Sequence, residues 1–213
     1  MARPIVKPHW NRLVYVHRLM HISNIPRLLE TGFVHSNSEK ADSNYIAIGD
    51  RSIIKVRDQE VHHGYRLSDY IPFYLGPRTP MLLVIQSGRN GVDRHDAEDI
   101  VYCAVRISTI IEQDWDCIFT DGHAVSGITK FYDKSQLPHI NDILSVEDVY
   151  AKYWIDDVDT DLNRRKQAEL LVRDEIPAQF ISGFFVYNER AKQRLETMGV
   201  DFSKTCVAPE YYF

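Results

Sequence analysis

The chain has 213 residues, 44% hydrophobic and 26% charged, with a formal net charge of -5. That balance suits a globular protein and excludes disordered and collagen-like chains, while the negative sign argues against indiscriminate coating of nucleic acid. No apolar run approaches the roughly 20 residues of a spanning helix, and the amino terminus has no hydrophobic signal core before its first Pro and Arg residues. Cys103, Cys117 and Cys206 are odd in number and far apart, which suits reduced, buried thiols in the cytosol better than a disulfide frame. With no linker visible, a single domain over 1–213 is expected.

The opening MARPIVKPHW is broken by prolines and reads as a loose arm. The β-branched and aromatic content of RLVYVHRLM predicts a first strand. In HISNIPRLLETGF, Ser23 caps a helix, Pro26 sits in its first turn, Ile25, Leu28 and Leu29 form its apolar stripe, and Gly32 ends it. Ser36 to Asp50 is polar and long for a connection, the profile of a binding loop. After a second polar tract, DQEVHHGYRLSD, the aromatics and prolines of YIPFYLGPRTP predict an irregular wall, and MLLVI a fully buried strand. DIVYCAVRI and CIFTDGH read as central strands, with Ser108 to Gln113 a short helix or turn between them. From His123 to Arg165 aromatics scatter among acids, which predicts one or two short helices, chiefly Val146 to Trp154. Ala168 to Val172 alternates as a strand does and is closed at once by Ile176-Pro177. FISGFFVYN is a strand, NERAKQRLETMG a helix capped by Asn188 and ended by Gly199, and KTCVAPEYYF an edge strand and tail. Strands outnumber helices without alternating regularly, so the fold class is α+β with a mixed central sheet.

Few patterns carry chemistry unaided. His17 and His21 stand four apart, but on a strand and with no third ligand at matching spacing, so no metal site is expected. His62-His63 reads as a solvated pair. There is no glycine-rich phosphate loop, and GHAVSG lacks the strand, turn and helix setting of a hydrolase nucleophile. Glu169 follows three cations, Arg164, Arg165 and Lys166, among small and aliphatic neighbours. As part of a strand it points away from the face that packs the core. On the residues alone, the alternative is a solvated glutamate paired with Arg165 or Arg173.

Five blocks occur in order: HRLMHISNIPRLLETGF, IGDRSIIKVRD, SDYIPFYLGPRTPML, TDGHA and NRRKQAELLV. Together they resemble the DarT family of DNA ADP-ribosyltransferase toxins over nearly the whole chain. The resemblance implies an α+β, PARP-like ADP-ribosyltransferase fold of two packed sheets with flanking helices and a cleft for NAD. It implies transfer of ADP-ribose from NAD to thymine in single-stranded DNA with release of nicotinamide, NAD being a co-substrate and no metal being needed. Single-stranded DNA and a DarG-like macrodomain antitoxin are the implied partners.

By the same resemblance Glu169 is the catalytic glutamate and Arg51 the arginine that acts with it, on a phosphate of NAD or on the deprotonated base. His21, Ile22 and Ser23 meet NAD, which the loop from about Ser36 to Ile54 covers. His123 to Glu169 is the segment that reads the target, where His123 contacts the nucleotide and Arg164, Arg165 and Lys166 neutralise phosphates. Tyr74, with Tyr70 and Phe73, stacks nicotinamide or a base. The alternatives are a surface cation for Arg51, a satisfied loop histidine for His123, and core packing for the aromatics. Guanine, RNA and protein are alternative acceptors, and a non-catalytic nucleic-acid-binding module is the alternative of another class.

Overall fold

The computed structural model describes residues 5–8, 10–62 and 64–213. Met1 to Pro4 and His9 of the expected arm, and His63 of the histidine pair, lie outside them. The strands are β1 (Tyr15–His21), β2 (Val61–His62), β3 (Tyr65–Arg66), β4 (Ile71–Tyr74), β5 (Ile100–Arg106), β6 (Cys117–Thr120), β7 (Phe131–Asp133), β8 (Glu169–Val172), β9 (Gly183–Val186) and β10 (Thr205–Val207). The helices are α1 (Ile25–Thr31), α2 (Arg51–Arg57), α3 (Pro80–Ser87), α4 (Ile107–Glu112), α5 (Ile140–Ile143), α6 (Val146–Val149), α7 (Leu162–Arg165) and α8 (Glu189–Thr197). One eight-stranded sheet runs in the order β10, β9, β5, β1, β4, β8, β6, β7, and β2 with β3 makes a separate hairpin. β9 and β10 are parallel, which makes the sheet mixed.

Strand alternation sets the layers. Val16, Phe73, Val101, Phe119, Leu170 and Val172 point to one face and join a large core that also takes in residues of α1, α4 and α8. The opposite face carries two smaller cores. Tyr15, Tyr102 and Phe185 pack there with α3 and with Tyr211 and Tyr212, while Ile118 and Leu171 pack with Leu67, Tyr70 and Ala124. Burying each such leucine contributes about 2 kcal/mol. Tyr74 and Glu169, paired in register across β4 and β8, share the face of Leu171 but belong to neither small core.

The sheet is also weakest beside that pair. β1 matches β5 at all seven of its residues but meets β4 at one position, His17 opposite Tyr74. Beyond it Pro72 has no N–H with which to continue the ladder. Its carbonyl instead accepts from Arg18 Nη1 at 3.1 Å, across the gap. The two halves are therefore one sheet joined at a single bridge, where two packed sheets were expected.

Other expectations change for local reasons. MLLVI is not a strand but the body of α3: Thr79 Oγ1 accepts from the Leu82 N–H at 3.3 Å, Pro80 takes the first turn, and Gly88 ends the helix at φ 67°. These end signals outweigh β-branched content. The helix expected from Val146 to Trp154 stops at Val149, because Trp154 is buried edge-on to Phe213, with ring centroids 5.6 Å apart. Ser23 is not the cap of α1 but lies within the 3-10 turn Ile22–Asn24, where its N–H donates to His21 Nδ1 at 3.2 Å. Helix α2, the β2–β3 hairpin and β7 were not expected. Strands β1, β5, β6, β8 and β9, and α8 with its Asn188 cap, fall where the sequence predicts, and β10 lies at the sheet edge. Among the described residues no helix is long and apolar enough to cross a membrane.

Candidate active site

Glu169 opens β8 with its side chain 3% exposed. Its N–H donates to Thr120 Oγ1 at 3.0 Å, which fixes the start of β8 on β6. A carboxylate so dry needs compensating donors, and it has two. Oε2 accepts from Arg57 Nη1 at 2.9 Å, and Oε1 from the Ala124 N–H at 3.0 Å. The pair is an inward one, since the Arg57 side chain is only 11% exposed.

Arg57 is the last residue of α2. Asp50 caps that helix, accepting from the N–H and Oγ of Ser52 at 2.8 and 2.6 Å. At helical spacing Ile53, Ile54 and Arg57 share the side that lines the Glu169 cavity, while Arg51 and Lys55 stand exposed on another. Arg51 therefore sits at the far end of α2 from Glu169, and the guanidinium that meets the carboxylate belongs to Arg57. That correction comes from helix geometry, because the two arginines stand six positions apart on one short helix and so face different sides. Arg57 Nη2 is buried without a partner among the described residues.

Where β1 and β4 part, two cavities meet. On the Glu169 side the lining includes Leu19, Ile53, Arg57, Tyr74 and Glu169. On the α1 side it includes Met20, Asn24, Arg27, Thr31 and Lys40. Arg18 and Tyr45 line both. The result is a cleft with apolar walls, a carboxylate and guanidinium at one end, and cations at its middle and far end.

Tyr74 and His123 join Glu169 and Arg57. Burial, and next the charge of Glu169, raise the pKa of the Tyr74 hydroxyl, which stays protonated. Burial lowers the pKa of His123; Glu169 pulls it back up and Arg57 pushes it further down. The His123 imidazole is accordingly neutral at neutral pH.

The remaining residues singled out from the sequence lie elsewhere. His21 is four residues beyond His17 on β1, about 13 Å at the strand rise, with its ring edge-on to His95 at 5.2 Å. Ile22 is fully buried in the large core and Ser23 is exposed, and the triplet lines neither cavity. Arg164 is paired with Asp121 and Asp161, and Arg165 with Asp148, Asp159 and Asp161. Lys166 is 1% exposed and turned inward. The picture of three cations free for phosphates is thus corrected, since four aspartates neutralise two of them and the fold buries the third. Sequence reasoning missed Arg57, Arg18 and the Ala124 N–H. An Asp50 cap followed by apolar residues at helical spacing was the signal that separates Arg57 from Arg51. Among the described residues no group of three or more His, Cys, Asp or Glu gathers to hold a metal.

Known proteins share this architecture. The structure superposes on Thermus sp. 2.9 DarT in complex with ADP-ribosylated ssDNA with a TM-score of 0.82, at 24% identity, covering 99% of this chain and 100% of that one. The same protein in complex with NAD+ gives a TM-score of 0.77, at 24% identity, covering 98% and 100%. The fold is therefore an ADP-ribosyltransferase fold of the DarT type. The family model described as "ssDNA thymidine ADP-ribosyltransferase, DarT" matches residues 17–213. A DNA ADP-ribosyl transferase of Escherichia coli O127:H6 is 34% identical over 184 residues, 84% of this chain and 83% of that protein. The chain belongs to the DarT family of DNA ADP-ribosyltransferases, enzymes that use NAD. It is also 31% identical over 194 residues to a DNA ADP-ribosyl transferase-DNA ADP-ribosyl glycohydrolase fusion protein of Thermosipho africanus, covering 89% of this chain and 46% of the fusion.

Proposed function

We propose that the cleft at the split in the sheet holds NAD with its nicotinamide ribose at Glu169, and that the enzyme passes ADP-ribose to thymine in single-stranded DNA. The observation that carries this reading is the buried Glu169–Arg57 pair, aimed into the cleft beside the single β1–β4 bridge. The cleft suits a dinucleotide. Arg18, at the junction of the two cavities, faces the diphosphate, with Arg27 and Lys40 toward the far end, while Leu19 and Tyr74 wall the reacting half. Arg57 takes the role first given to Arg51.

The chemistry follows from these groups. As the bond between the ribose C1' and the nicotinamide ring nitrogen breaks, its electron pair leaves with nicotinamide and positive charge develops on the ribose. The carboxylate of Glu169 stabilises that charge. The N3 of thymine forms the new bond to C1', and the proton it carried passes to Glu169 as general base, a contribution of about a hundredfold to ten-thousandfold. Arg57 holds Glu169 in line and offers its unpartnered Nη2 to the developing negative charge of the base. Neutral His123 hydrogen-bonds the nucleotide. A base attacked at its pairing edge has to leave the duplex first, which favours a single strand.

Such an activity is toxic to the cell that harbours it and calls for an antitoxin. The Thermosipho fusion, with transferase and glycohydrolase on one chain, supports a macrodomain partner of the DarG kind that removes the mark. With DNA and NAD as substrates, the reaction belongs to the cytosol, and residues 1–213 make up one transferase domain. Mass spectrometry of short oligonucleotides differing in one base, after treatment with enzyme and NAD, tests the reading. The expected outcome is one added ADP-ribose on thymine-containing single strands only. Glu169→Gln, folded by circular dichroism, should lower turnover at least a hundredfold. Label found only on RNA, protein or guanine would refute the assignment of the acceptor.

A further inference from the structure

Lys166 is buried, and among the described residues no acid pairs with it. Its Nζ donates to the carbonyls of Pro77 at 2.7 Å and Val149 at 2.6 Å. Burial lowers its pKa to about 7 and nearby Arg78 adds to the fall, with no carboxylate opposing them. Enclosing an ammonium without a counter-charge is costly, so its place in the fold has to return something.

Register explains what Lys166 holds. Strands β4 and β8 pair from Ile71 opposite Val172 to Tyr74 opposite Glu169. One more backbone bond follows, from the Leu75 N–H to the Ala168 carbonyl at 3.1 Å. Continuing the count, the next facing residues include Pro77 and Lys166. Pro77 has no N–H to give, the ladder ends, and the ammonium of Lys166 takes the Pro77 carbonyl in its stead. The second bond reaches Val149, the last residue of α6. Backbones are already in close approach at this point, because a Cβ on Gly76 would collide with the Val149 carbonyl. Lys166 thus extends the ladder that aligns Tyr74 with Glu169 and ties α6 onto its end.

We infer that Lys166 is a positioning residue for the acceptor: it sets the segment from α6 to α7 at a fixed distance from Glu169, so that the target nucleotide, not NAD, depends on it. The inference rests on the functional reading above, in which the residues between His123 and Glu169 meet DNA. NAD handling belongs to the other wall, built from β1, α1, α2 and β4.

Steady-state kinetics with both substrates varied provides the test. Lys166→Met should raise KM for a thymine-containing oligonucleotide about tenfold or more, in keeping with the cost of small misplacements, with KM for NAD unchanged. Gly76→Ala, which forces the Val149 carbonyl away from the Lys166 ammonium while keeping the lysine itself, should give the same split, and it supplies the readout if Lys166→Met does not fold. General loosening would move both KM values together, or neither, and either outcome overturns the inference. A fall in kcat alone, as expected for Glu169→Gln, also overturns it by putting Lys166 at the reaction centre. Wild-type enzyme inactive on every oligonucleotide would remove the functional reading and this inference with it. Active wild type with unchanged variants would remove this inference alone.

Discussion

Two buried ionisable residues on one side of the sheet face opposite circumstances. Glu169 is answered by Arg57 and Ala124. His17, fully buried and one strand pair away, is answered by nothing: both ring nitrogens lack partners among the described residues. The rings of Tyr102, Phe185 and Tyr211 stand edge-on to it at 5.5–6.0 Å. Burial lowers its pKa from 6.5 to about 3, so the folded protein keeps it neutral where the unfolded chain would protonate it. Its contribution to stability is fully present above about pH 6.5 and is lost as pH falls toward 3, at about 1.4 kcal/mol per pH unit. Urea denaturation of wild type should therefore show stability falling from pH 6.5 to 4.5. In His17→Leu that slope should be shallower, and an unchanged slope would contradict this account of His17.

Helix α2 shows how an element assigns roles that composition leaves open. Its two terminal arginines lie in one sequence block, yet one points into the cleft and the other to solvent. Removing the inward one strips a buried carboxylate of its counter-charge, whereas removing the outward one costs a surface cation. Arg57→Ala should lower transfer more than about a hundredfold and destabilise the fold by about 3 kcal/mol. Arg51→Ala should leave transfer within a few-fold of wild type. Equal losses in the two variants, measured by transfer to a labelled oligonucleotide, would return Arg51 to the site. The end of α7 behaves likewise, because the RRK run at 164–166 reads as a phosphate cradle and is instead spent on holding its own segment together.

Across the whole molecule the decisive feature is that one sheet carries a continuous core on one face and a divided one on the other, with a split that opens beside the single His17–Tyr74 bridge. A ligand lodged in the split touches both halves and stabilises the folded state by mass action, about 2.7 kcal/mol at a hundredfold excess over Kd. NAD should therefore raise Tm of the wild-type protein by several degrees. Arg18→Ala, which removes both the cross-gap bond to Pro72 and the cation at the junction, should abolish most of that rise. A full shift in Arg18→Ala would place the diphosphate elsewhere.

Much of this was legible in the residues themselves. Period-two alternation marks β1, β5 and β8, the Asn188 cap marks α8, and five ordered blocks point to the family and to Glu169, because these are local patterns or chemical identities carried by adjacent residues. At MLLVI the apolar, β-branched run suits a buried strand, but the flanking Thr79, Pro80 and Gly88 are helix end signals and they decide the outcome. What tertiary structure alone decided is which charges meet. The partner of Glu169 lies 112 residues away, and whether a guanidinium reaches it depends on the rotation of α2, the gap left by Pro72 and the desolvation of the site. None of these is a property of neighbouring residues, so none could be read from their order.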